Sequence, residues 1–88
     1  MLAGKVIGSV VSTRKTEALV GNKLMIIELL GPMQEKAKQL IAVDNIGAGI
    51  GEYVMVATGS AARVGTGMEN APVDAAIVGI IDDGTMLE

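Results

Sequence analysis

Apolar side chains along this sequence fall in short, β-branched runs separated by glycine-rich or charged joints, the pattern of several strands rather than of long helices. Met1 to Thr13 alternates: Leu2, Val6 and Val10 share one face with Gly4 and Gly8, and Lys5, Ile7, Ser9 and Val11 share the other. Two glycines on one face predict a bend, as needed where a sheet curls into a small barrel. Arg14 to Asn22 is a polar connection. Lys23 to Leu30, set between Gly21-Asn22 and Gly31-Pro32, is a second strand, with Leu24, Ile26 and Leu30 opposite Met25, Ile27 and Leu29. After an exposed loop over Pro32 to Lys38, Gln39 to Asp44 forms a third strand, Glu52 to Thr58 a fourth and Ala75 to Ile81 a fifth. Ser60 to Val64 allows at most a turn or two of helix between the last two main strands. The expectation is an all-β fold: a small, five-stranded, OB-like β-barrel with one short helix. Strand order is not readable from the pattern. With 88 residues, no internal repeat and no linker, the chain is expected to form a single domain over residues 1–88.

Composition sharpens this picture. Half of the residues are hydrophobic, yet Tyr53 is the sole aromatic. Cys and His are both absent, which excludes disulfides, thiolate nucleophiles, zinc clusters and imidazole acid/base catalysis, so neither an enzyme nor a cofactor is expected. The longest apolar run, Ala75 to Ile81, falls far short of the ~20 residues of a membrane helix. Met1 to Val11, interrupted by Lys5, does not read as a signal peptide, and a cytoplasmic location with no membrane partner is expected. A net charge of -3 is the wrong sign for phosphate-driven nucleic-acid binding. The surplus apolar surface is expected to be buried against other copies of the same chain. Charge is also lopsided: residues 1–43 carry net +3 and residues 44–88 net -6. That asymmetry suits a head-to-tail ring and equally suits a solvated surface with no preferred partner.

Candidate motifs are few. Gly47, Gly49 and Gly51 resemble a phosphate loop in spacing, but Glu52 stands where a dinucleotide fingerprint needs glycine, and Tyr53 onward continues as strand. A tight strand-to-strand turn is the better reading, one that brings the backbone close to a partner. Ser60 opens Gly59-Ser60-Ala61-Ala62-Arg63 and is suited to cap a helix; with no base beside it, a nucleophilic role is disfavoured. Ala61 and Ala62 are small enough for close approach of another surface. Arg63 is the only basic residue of the second half, with a carboxylate of a neighbour, Asp44, Asp74 or Asp82 as its natural partner. Asp82 and Asp83 point to opposite faces of a strand end, which argues against a shared metal ion. Tyr53 alone cannot provide the stacking platform of a single-strand-binding barrel.

Three blocks in order, Val43-Asp44-Asn45-Ile46-Gly47-Ala48-Gly49 with Glu52 and Val54, then Gly59-Ser60-Ala61-Ala62-Arg63, then Pro72-Val73-Asp74-Ala75-Ala76-Ile77-Val78 with Ile80-Ile81-Asp82, resemble the EutN/CcmL family of bacterial microcompartment vertex proteins. Gly4 to Thr13 and Gly21-Asn22-Lys23-Leu24 look like the first hairpin of the same family. The resemblance implies an OB-like barrel that assembles as a homopentamer, with a hexamer as the competing assembly. The ring would cap the vertices of a polyhedral shell, contact hexameric shell proteins and act without catalysis. Gly47, Gly49, Gly51, Ser60, Ala61, Ala62, Arg63 and Asp82 are the candidate ring and subunit-interface residues. A second reading, from a different class, is a small barrel that binds an oxyanion through the glycine-loop amides and Arg63.

Overall fold

The computed structural model describes residues 1–10, 23–31, 38–62 and 74–82. Five strands follow in chain order: β1 (Leu2–Val10), β2 (Lys23–Leu29), β3 (Gln39–Asp44), β4 (Tyr53–Thr58) and β5 (Ala75–Ile81). They close into a barrel in the order β1-β2-β3-β5-β4, with β4 returning to β1. Only the β3–β5 pairing is parallel. Helical residues 60–62 lie between β4 and β5. The expected limits of the third and fifth strands coincide with those observed, and the second and fourth each lose one terminal residue. The expected continuation of the first strand to Thr13 lies outside the described residues.

The interior is aliphatic. Val6, Ile27, Leu29, Val54, Val56 and Ile77 are its largest fully buried side chains. Met25, Ile27 and Leu29 share one face, as the alternation along β2 predicts, and the structure turns that face inward, against Ala42 and Leu40 of β3. Burying one such side chain contributes about 1.5–3 kcal/mol. Gly4 lets β1 close on β2: a Cβ at that position would run into Cγ2 of Ile27 and lie 2.9 Å from the carbonyl oxygen of Glu28.

Two bulges decide which residues face out. Val6 pairs with Ile27 and Gly8 with Ile26, leaving Ile7 as the extra residue of β1. Val10 is thereby paired with Leu24, which packs outside the barrel against Val43, Ala62 and Ala76. The expectation that Val10 and Gly8 share the face of Val6 is corrected, because one inserted residue reverses the alternation. On β5 the corresponding insertion is Val78, since Met55 pairs with Gly79 and Val56 with Ile77. Both Ile77 and Ile80 therefore reach the core despite their odd spacing.

The barrel is loosest beside the start of β3. Pairing between β3 and β5 covers only Val43 with Ala76 and Asp44 with Ile77. A groove lined by Gln39, Leu40, Ile41, Thr58, Gly59, Asp74 and Ala75 opens where that ladder has not yet begun.

Candidate functional site: the glycine loop and the outer barrel surface

The loop from β3 to β4 is organised by two carboxylates. Asp44, at the end of β3, is 4% exposed. Its Oδ1 accepts the N–H groups of Ile46 and Gly47, both at 3.0 Å, and its Oδ2 accepts that of Ala48 at 2.9 Å. Such charge-assisted bonds are among the stronger ones in proteins. Glu52 closes the other side, its Oε1 accepting the N–H of Gly49 while its own N–H donates to the Gly49 carbonyl at 3.1 Å. The loop is then fastened to β1, where Gly51 N–H donates to the Val6 carbonyl at 2.8 Å and Val6 N–H donates to the Glu52 carbonyl at 2.9 Å. Gly47 and Gly51 have φ of 83° and 93°, the region in which an L side chain is strained. Ala48 is buried in the main core, so the loop also plugs the barrel.

This arrangement speaks against the oxyanion reading. The amides of Ile46, Gly47, Ala48 and Gly49 are directed at the chain's own carboxylates, and those of Gly51 and Glu52 at backbone carbonyls. A loop that already encloses negative charge repels a second anion. Asp44 is the residue whose role the sequence reading missed. An Asp followed by Asn and, three residues on, Gly is the local signal, since a short carboxylate readily accepts amides just downstream.

The remaining candidates are scattered. Gly47 and Gly51 are exposed and Gly49 is half-buried. Ser60 and Ala61 are exposed, and Asp82 is exposed at the far end of β5. The helical residues begin at Ser60, and the Gly59 carbonyl accepts the N–H of Ala62 at 3.2 Å, so Gly59 rather than Ser60 occupies the capping position. Ala62 is 0% exposed and packs on Val43, Ala76 and Leu24. Its small side chain seats the helical turn on its own barrel, which corrects its assignment to an inter-subunit surface. Arg63 lies outside the described residues. Among the described residues, no group of three or more His, Cys, Asp or Glu side chains is placed to hold a metal ion. No helix among them is long and apolar enough to cross a membrane.

The outer surface carries what the sequence pattern could not locate. Ile7, Ile41, Ile46, Ile50 and Met55 are exposed, Ile41 to 54% and Ile50 to 67%. Ile41 and its cross-strand partner Ile26 line a shallow concavity with Gln39 and Leu40. Met55 stands between Ala3 of β1 and Gly79 of β5, and a Cβ at Gly79 would collide with its Cε. Beside it, Lys5 places its Nζ 5.8 Å from the centre of the Tyr53 ring.

Comparison with known proteins places this geometry. The model of the family described as ethanolamine utilisation protein EutN/carboxysome matches residues 1–82. The bacterial microcompartment shell vertex protein GrpN of Rhodospirillum rubrum is 47% identical over 83 residues, covering 93% of each chain. A solved structure described as the GrpN pentameric microcompartment shell protein of that organism superposes with a TM-score of 0.80 at 45% identity, over 94% of this chain and 95% of the other. The structure of CcmL from Nostoc superposes with a TM-score of 0.83 at 46% identity, over 93% of this chain and 88% of that one. A filled five-stranded barrel, a carboxylate-organised loop and matches along almost the whole chain lead to one conclusion: this protein belongs to the EutN/CcmL family.

Proposed function

We propose that this chain is a vertex subunit of a bacterial microcompartment shell, acting through shape and not through catalysis, with residues 1–88 working as one unit. Five copies form a ring, and the rim of that ring meets hexameric shell proteins. A flat layer of six-fold tiles cannot close on itself, and five-fold units supply the curvature that seals it around the enclosed enzymes in the cytoplasm. The observation that carries this reading is the exposure of Ile7, Ile41, Ile50 and Met55 on a barrel that already has a buried aliphatic core of its own. Apolar surface of that kind is covered in a stable assembly. The names and titles of the relatives, shell vertex protein and pentameric shell protein, support the same reading.

The test is deletion of the gene from a host that builds the shell, followed by electron microscopy. Open or elongated shells, restored to closed polyhedra by the wild-type chain, are expected. Closed polyhedra of normal shape in the deletion strain would remove the vertex role.

A further inference from the structure

β3 is paired along its whole length on one side and at only its last two residues on the other. Against β2, every residue from Gln39 to Asp44 is in register, whereas against β5 only Val43 and Asp44 have partners. Leu29 N–H donates to the Lys38 carbonyl at 2.9 Å, and hydrogen-bonded pairs alternate along an antiparallel ladder. Leu40 and Ala42 therefore turn their main-chain groups toward β2. Gln39 and Ile41 turn theirs the other way, toward the groove that both residues line. Counted back from the pair of Val43 and Ala76, Ile41 stands level with Asp74. The Asp74 carbonyl, however, accepts the N–H of Gly59 at 2.8 Å, so the far wall of the groove is tied to the end of β4 and not to β3. Asp74 is the only charged residue of the lining, and it is exposed. Among the described residues its carboxylate has no hydrogen bond or ion pair.

We propose that this groove receives an extended segment of a different protein, which adds as a strand to β3 through the main-chain groups of Gln39 and Ile41 and sets a lysine or arginine beside Asp74. Strand addition is the contact that a row of unpaired main-chain donors and acceptors is built to make. The unpartnered carboxylate of Asp74 selects a cationic side chain at that end, while Lys38, exposed just before Gln39, disfavours a second one at the other. A second copy is the poorer occupant, because every strand of the closed barrel already has a neighbour on each side and none is free to be lent. The inference goes beyond the vertex reading and does not compete with it. Side chains stand perpendicular to the hydrogen-bonding direction of a sheet, so a sibling copy that covers the Ile41 side chain leaves this edge open.

Panning a random heptapeptide library, displayed on phage, against the unmodified chain tests this, followed by calorimetric titration of the enriched peptides made by synthesis. Enriched sequences are expected to share a lysine or arginine. Ile41→Pro removes a groove-directed N–H and none of the β2 ladder, so it is expected to fold and to weaken the peptides about tenfold. Asp74→Asn is expected to weaken them about threefold and to abolish the preference for a basic residue. Should Ile41→Pro fail to fold, the same question is put to the peptides: N-methylation at alternate amides, which blocks strand pairing and keeps the side chains, is expected to abolish binding. A library that yields no binder, or binders without a basic residue, would overturn the proposal. So would peptides that bind a folded Ile41→Pro or survive N-methylation at both alternations with unchanged affinity. Enriched sequences that match a stretch of this chain would assign the groove to a second copy and overturn the choice of partner.

Discussion

Asp44 and Ala48 are joined end to end across the loop, the Ala48 N–H donating to Oδ2 of Asp44 at 2.9 Å while the Ala48 side chain is buried in the barrel core. One carboxylate thus both shapes the turn and positions its plug. Removing it leaves the amides of Ile46, Gly47 and Ala48 without their acceptor in a partly buried setting. Asp44→Ala is expected to destabilise the subunit by about 3 kcal/mol, and Asp44→Asn by less, because one acceptor oxygen is kept. Chemical denaturation of the two variants beside the wild type checks this; an unchanged midpoint for Asp44→Ala would remove the loop's dependence on that carboxylate.

Gly4 is a packing requirement and not a flexibility requirement. An added methyl group meets Ile27 and the Glu28 backbone, so β1 and β2 must separate to admit it. Gly4→Ala is expected to cost about 1–3 kcal/mol in thermal or urea unfolding. Gly8→Ala, where the nearest atom is Cδ1 of Ile26 at 3.7 Å, is expected to change stability far less. Equal losses in the two variants would contradict the different surroundings of these glycines.

Gly51 has open space around it and a φ of 93°, so only its backbone conformation restricts substitution. Gly51→Val is expected to destabilise the subunit by about 1–3 kcal/mol through strain alone. Differential scanning calorimetry would detect the lowered melting temperature, and a value equal to wild type would mean that the loop adapts freely.

Ala62 and Ala61 are neighbours with opposite expectations. A carboxylate at position 62 enters the apolar cluster of Val43, Ala76 and Leu24, whereas position 61 is exposed. Ala62→Asp is expected to cost more than about 3 kcal/mol and to yield little folded protein. Ala61→Asp is expected to fold with a wild-type melting curve. Reversed outcomes would mean that the helical turn docks by its other face.

These contrasts mark what the sequence carried and what it withheld. The strands were legible because charge and glycine bound them sharply: Gln39 and Asp44 delimit β3, and Asp82 follows β5. That Met25, Ile27 and Leu29 share a face follows from alternation, but which face turns inward does not, because Leu24, Ile26 and Leu30 make the other face apolar too. Beyond Ile7 and Val78 the same rule failed, since a bulge is a property of two paired strands and the pairing is not written in either alone. From the sequence alone Ala62 suits an interface and an internal contact equally, because small size serves both, and only its burial separates the two. Asp44 stands in the sequence as one member of a motif, and its part as the acceptor that organises the loop depends on the turn that brings three amides to it. The apolar surplus was visible from composition, and its placement on the outer barrel surface required the closed strand order.

The claim on which the account depends is that this barrel's outward isoleucines and Met55 are covered by sibling copies arranged about an axis. Native mass spectrometry of the unmodified chain across a dilution series tests it most directly. The account predicts a single species at five times the subunit mass that persists on dilution; a stable single subunit throughout the series, with Ile41 and Met55 open to solvent, would contradict it.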